Sequence, residues 1–160
     1  MAFSRKTLRA NTAALIKTAV LPGTTTLAFT SVFEGAPDQV LDEDMPTCIV
    51  RAGPTRERRL AGPAGYGIKQ ISCPVTIDIF FWADSNDDIL GERYLDDVLD
   101  GIDVALRSSP GTLTGAVAIA YEEVDTEIAE PINSLQDGDP AGKLLLHATR
   151  TFSASAFDGG

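Results

Sequence analysis

A chain of 160 residues, 44% hydrophobic and 22% charged, has the length and composition of one globular domain and is too apolar to stay disordered. Its 23 acids against 13 Lys and Arg give a formal net charge of -10. That excess disfavours nucleic acid as a general partner, because phosphate binding draws on clustered cations.

The chain begins MAFSRKTLRANTAALIKTAVL, with apolar positions interrupted by Thr, Asn and Lys. This differs from the continuous apolar stretch of a signal peptide, and no run of ~18 or more apolar residues is present to span a membrane. Leu8, Leu15, Ile16, Ala19 and Val20 recur at roughly helical spacing, so the pattern predicts an amphipathic helix over residues 4–21, stopped by Pro22 and Gly23. Residues 24–33 (TTTLAFTSVF) are β-branched and aromatic and read as a strand. An acidic turn, GAPDQVLDEDMP, leads to a second short strand, TCIVR, at residues 47–51.

Residues 51–70, RAGPTRERRLAGPAGYGIKQ, hold five of the thirteen Lys and Arg against a single acid. Glycine and proline break the segment, which predicts an extended basic loop within one domain spanning residues 1–160. Next, Ile71, Cys73, Val75, Ile77, Ile79 and Phe81 take every odd position, the period-two mark of a long half-buried strand. Pro74 cannot donate to a ladder and marks an edge or a bulge there. Residues 85–107 form the clearest helix, with Leu90, Tyr94, Val98, Ile102, Ala105 and Leu106 on one face and Asp84 or Ser85 as N-cap. Two further strands are expected at residues 115–124 and 143–157, separated by turn-forming residues at 130–142. Strand runs separated by single helices indicate an α+β fold: a mainly antiparallel or mixed sheet with two principal helices packed on one face.

Chemistry-bearing motifs are sparse. His147, the one histidine, lies within the strand LLLHATRTF and reads as a polar residue on an open sheet face. Cys48 and Cys73 have neither CxxC spacing nor a clustered His, so no zinc site and no disulfide framework is expected, and a reduced, cytoplasmic setting is the default. DSNDDILGERYL at residues 84–95 misses the calcium-loop pattern, with Ile89 in place of glycine and Leu95 in place of the bidentate Glu. GPAGYG at residues 62–67 lacks the spacing of a phosphate-binding loop. The acids of residues 122–131 read as a solvated strand end, and Asp96, Asp97, Asp100 and Asp103 as an exposed acidic helix face. No catalytic residue, metal site or cofactor is expected. For Arg56, Arg58 and Arg59 three readings stand: a solvated hairpin tip, a contact with a second copy or partner, or contact with DNA phosphate.

The layout resembles the tail terminator (tail completion) proteins of tailed bacteriophages. The residues that carry the resemblance are the N-terminal helix ending LIKTAVLPG, the acidic turn before PTCIVR, and the Gly/Arg loop leading into ISCPVTIDIFFWA. The helix ERYLDDVLDGIDVALRSSP and the last strand LLLHATRTFSASAF complete it. The resemblance implies a non-enzymatic virion protein at the neck-proximal end of the tail, assembled in the host cytoplasm. Such proteins form a ring, a hexamer in this family, that caps the tail tube, halts its polymerisation and offers a joining surface to the neck connector. The partners implied are further copies of the chain, the tail tube protein and the neck stopper, with DNA passing only transiently and no membrane. Arg51, Arg56, Arg58, Arg59 and Lys69 are the expected subunit-interface or channel residues. Alternatives are a neck stopper or adaptor, a tail tube subunit, or a small enzyme or ligand-binding domain around Glu122, Glu123 and His147.

Overall fold

In a computed structural model of the chain, described over residues 3–63, 67–84, 88–108, 118–130, 132–134 and 143–158, two helices pack on one face of a seven-stranded mixed sheet. The expected α+β architecture is the one observed. Helix α1 covers Arg5–Ile16 and opens on Ser4, whose hydroxyl accepts from the Thr7 amide at 3.3 Å. It buries Leu8, Thr12, Ala13 and Ile16, one stripe of a 3.6-residue repeat. The helix stops five residues short of the predicted end. There the Thr18 hydroxyl donates to the Leu15 carbonyl at 2.7 Å, and the chain tightens into successive turns.

Residues 24–30 are not strand. Val20 and Leu27 form an isolated bridge around a turn at Gly23 (φ 70°), and the Thr24 hydroxyl donates to the Leu21 carbonyl at 2.8 Å. A threonine that satisfies nearby backbone with its own side chain competes with the ladder that its β propensity favours. Only Ser31–Glu34 forms strand β1, which runs parallel to β2 at Thr47–Ala52.

The segment 51–70 is a hairpin and not one extended loop. Arg56–Arg59 forms β3, antiparallel to the start of β4 at Lys69–Asp84. Both β2 and β3 line the same edge of β4, Ala52 opposite Val75 and Arg56 opposite Ser72, so the edge gains one residue where it passes Pro74. Pro74 thus sits where β4 changes partner on this edge from β2 to β3, while its pairing with β7 runs on unbroken. Gly53 donates to the Pro74 carbonyl at 2.7 Å and holds the two chains together across it. The hairpin closes where the Leu60 amide donates to the Ile68 carbonyl at 2.9 Å. Gly67 (φ 120°) lies so close to the Ala61 carbonyl that no side chain would fit.

β4 and β7 (Lys143–Asp158) form the axis of the sheet and pair along their whole length, from Lys69 opposite Asp158 to Asp84 opposite Lys143. The odd residues of β4 and the even residues of β7 face the helices. Cys73, Val75, Ile77, Ile79, Phe152 and Ala154 are at most 1% exposed. Each aliphatic or aromatic side chain so buried contributes about 1.5–3 kcal/mol. Cys48 and Cys73 belong to this core, and burial raises both thiol pKa values.

Helix α2 (Asp88–Arg107) covers β4 and β7 with Leu95, Val98, Leu99, Ile102, Ala105 and Leu106. Its approach to the N-terminal region is close: a methyl group on Gly101 would stand 2.6 Å from the Val20 carbonyl oxygen. The expected cap at Ser85 lies outside the described residues. Leu95 is 3% exposed, so the twelfth position of the calcium-like stretch belongs to the core. β5 (Ala118–Ile128) pairs with β7 on the far side from β4, and short β6 (Ile132–Ser134) continues the same side within the region expected to be turn. No helix among the described residues is long and apolar enough to cross a membrane.

Candidate functional site

Two of the five basic residues expected at an interface are engaged within the chain. Arg51 pairs with Asp78, and Lys69 lies 2.6 Å from Glu57. Arg56, Arg58 and Arg59 remain, all exposed on β3, and none forms an ion pair among the described residues. Beside them, the start of α1 and the end of β2 enclose a recess of about 520 Å³ lined by Arg5, Lys6, Arg9, Ala52 and Thr55. The Arg5 guanidinium donates to the Ala52 carbonyl at 2.6 Å, which ties this corner to the sheet. The first turn of α1 carries no acid. Cations at that end oppose the helix dipole, so this corner of an acidic protein is concentrated positive charge.

On the helix-free face, strand alternation and register gather a second group. Asp78, 6% exposed, accepts from Arg51 and, at 3.0 Å, from the Thr149 hydroxyl, and its other near neighbour is His147 Nε2 at 3.4 Å. The His147 ring stacks on Phe80 with centroids 4.3 Å apart and planes 10° from parallel. His147 is therefore on the open face, as expected. Its surroundings do not resemble a hydrolytic triad. A triad sets the acid on one ring nitrogen and the nucleophile on the other, whereas Asp78 and Thr149 both address Nε2. Glu122 lies opposite Ser153, six positions along β7 from His147, so about 20 Å separates the residues of the alternative enzyme reading.

A third group corrects the reading of α2. Asp96, Asp97 and Asp100 are exposed, but Asp103 turns inward to accept from Arg150 of β7 and from the Tyr121 hydroxyl of β5. Arg150 also donates to that hydroxyl at 3.1 Å and is 8% exposed. One buried cation thus binds the helix, the central sheet and the edge strand together. Burial pushes the Tyr121 pKa up to about 12 from 10.0, reinforced by its hydrogen bond to Asp103 and opposed by Arg150. The folded chain then holds this proton more tightly than the unfolded one. The stability involved is complete below pH 10.0 and is lost as the pH rises toward about 12. Wild type should lose stability more steeply than Tyr121→Phe across that window in urea unfolding at stepped pH. Equal slopes would contradict the linkage.

Beyond Tyr121, β5 carries Glu122, Glu123, Asp125 and Glu127, all exposed. Tyr121 (φ 67°) and Glu123 (φ 51°) sit in the left-handed region at the two register shifts where β5 bulges from β7. A groove of about 250 Å³ crosses the open face there, walled by Arg56 on one side and Glu123 on the other, over Ser72, Pro74, Thr151 and Ser153. The arrangement offers hydroxyls and opposed charges, suited to contact with another chain. No group of three or more His, Cys, Asp or Glu able to hold a metal ion occurs among the described residues. The chain matches no protein-family model, and no curated protein is significantly similar to it.

Proposed function

We propose that the chain is a structural subunit of a tailed-phage virion, a tail terminator whose copies close into a ring on the tail tube. The ring stops tube growth and presents the joining surface to the neck connector. One observation carries the reading: a single sheet bears free arginines along β3 at one edge and free carboxylates along β5 at the other. A ring is built from contacts between unlike patches of one subunit, and those patches must complement each other. Opposite charge on two edges of one fold supplies that requirement without a cofactor.

Replacing Arg56, Arg58 and Arg59 together with serine should leave the monomer folded, because all three are exposed and without an ion pair. It should weaken each contact between copies by about 1–3 kcal/mol, roughly fivefold to 150-fold in association. Sedimentation equilibrium of the two chains reads the difference. Unchanged self-association of a folded triple variant would remove β3 from the interface.

A further inference from the structure

On one side the sheet ends at β1 and, past Pro74, at β3; on the other it ends at β5, and the two charged edges, β3 and β5, are unlike. β3 pairs only with β4, and β5 only with β7, among the described residues. Each therefore presents a row of backbone donors and acceptors toward solvent, the arrangement to which another strand can add. Glu57, the single acid of β3, is held by Lys69, so the outward charge of that edge is arginine. The described side chains of β5 include four acids and no cation. The asymmetry extends through the sequence: nine of the 13 Lys and Arg lie at or before residue 69, and 17 of the 23 acids lie beyond it.

A strand edge filled with one charge ordinarily protects against edge-to-edge association, because like charges directly opposite each other repel. Here that protection is selective. β3 against β3, or β5 against β5, places like charges in contact, whereas β3 against β5 places opposite charges in contact. We propose that β5 of one copy adds to the free edge of β3 of the next, extending the sheet from copy to copy. This rests on the ring reading for its closure, and on the two edges alone for the pairing.

Direction and side-chain parity agree with the joint. β3 and β7 each run antiparallel to β4, and β5 runs antiparallel to β7, so β3 and β5 point in opposite directions in one copy. A neighbour whose sheet lies in the same orientation meets β3 with an antiparallel β5. The regular part of β5 after its bulges is Asp125–Ile128, of which Asp125–Glu127 can face Arg56–Arg58 of β3. Arg56 and Arg58 lie opposite Ser72 and Gln70, and Asp125 and Glu127 opposite Thr151 and Thr149, all on the open face. With the strands joined, Arg56 stands across from Glu127 and Arg58 across from Asp125. Within one copy these groups form no ion pair among the described residues, so the joint gives each a partner.

Two variants of opposite design test the joint. Arg56→Glu/Arg58→Glu makes both edges acidic, and Asp125→Lys/Glu127→Lys makes both basic. Each alone should self-associate at least tenfold more weakly than wild type, and an equimolar mixture should recover wild-type association, read by sedimentation equilibrium. A mixture of Arg58→Cys and Asp125→Cys chains should give a disulfide-linked heterodimer under mild oxidation that neither gives alone; Cys48 and Cys73 are buried and stay silent. Failure of the mixture to recover, no heterodimer, or equal cross-linking of each variant with itself would overturn the joint. Rings that persist in both reversed chains would sink the edge pairing and leave the ring reading standing. Recovery together with open filaments would keep the pairing and sink the ring.

Discussion

Arg150→Met should lower the unfolding free energy by about 3 kcal/mol, toward the lower end of what breaking a buried ion pair costs. The substitution keeps an apolar stem of similar length and removes only the charged head, leaving Asp103 on the inner side of α2 without its cation. The Asp103 side chain retains 28% exposure, so water recovers part of the loss, which is why the larger values are not expected. The Tyr121 hydroxyl still donates to Asp103 but loses the donation from Arg150. Chemical denaturation measures the change. Arg150→Met/Asp103→Leu/Tyr121→Phe should recover most of it, because an apolar set of matching shape leaves neither a stranded charge nor the Tyr121 hydroxyl without its partners. A single-variant loss below about 1 kcal/mol would show that the network contributes little.

Phe152→Ala should cost about 3–5 kcal/mol, the usual range for deleting a buried aromatic side chain. The Phe152 side chain is 1% exposed on the helix-facing side of β7 and stands opposite Val75 of β4. Its ring centroid lies 5.0 Å from that of Tyr121 at 59° between planes. The cavity therefore opens beneath the residue that joins β5 to α2, and the acidic edge should loosen with it. Hydrogen exchange should show faster exchange in β5 than in β2. Arg150→Met and Phe152→Ala share Tyr121 as a neighbour, so their combined cost should depart from the sum of the two. A Phe152→Ala loss under about 2 kcal/mol would mean that the site collapses around the deletion.

The elements legible in the sequence are those whose two faces differ in polarity. β4 alternates because its odd residues meet the helices and its even residues lie on the helix-free face, and α2 repeats because one stripe lies on the sheet. β3 carries no such signal. RERR has no apolar alternation, and it becomes strand because the edge of β4 beyond Pro74 supplies a ladder for it. The propensity of residues 24–30 pointed to a strand that local threonine hydrogen bonds do not permit.

The polar groups were legible as residues but not as assemblies. Arg51 and Asp78 are 27 positions apart, Asp78 and Thr149 are 71 apart, and Asp103 and Arg150 are 47 apart. Register alone brings them together. The spacing of Asp103 among the acids of α2 put it on the exposed face, while the fold draws it inward because Arg150 occupies a core-facing position of β7. The free arginines of β3 were foreseen from composition; their opposition to β5 needed the strand order.

Native mass determination across a concentration series, with negative-stain images of the same samples, tests the central claim most directly. The account predicts one discrete closed oligomer, seen as rings of uniform diameter, that gives way to monomer as salt screens the charged edges. A monomer at every concentration, or filaments that lengthen without closing, would contradict it.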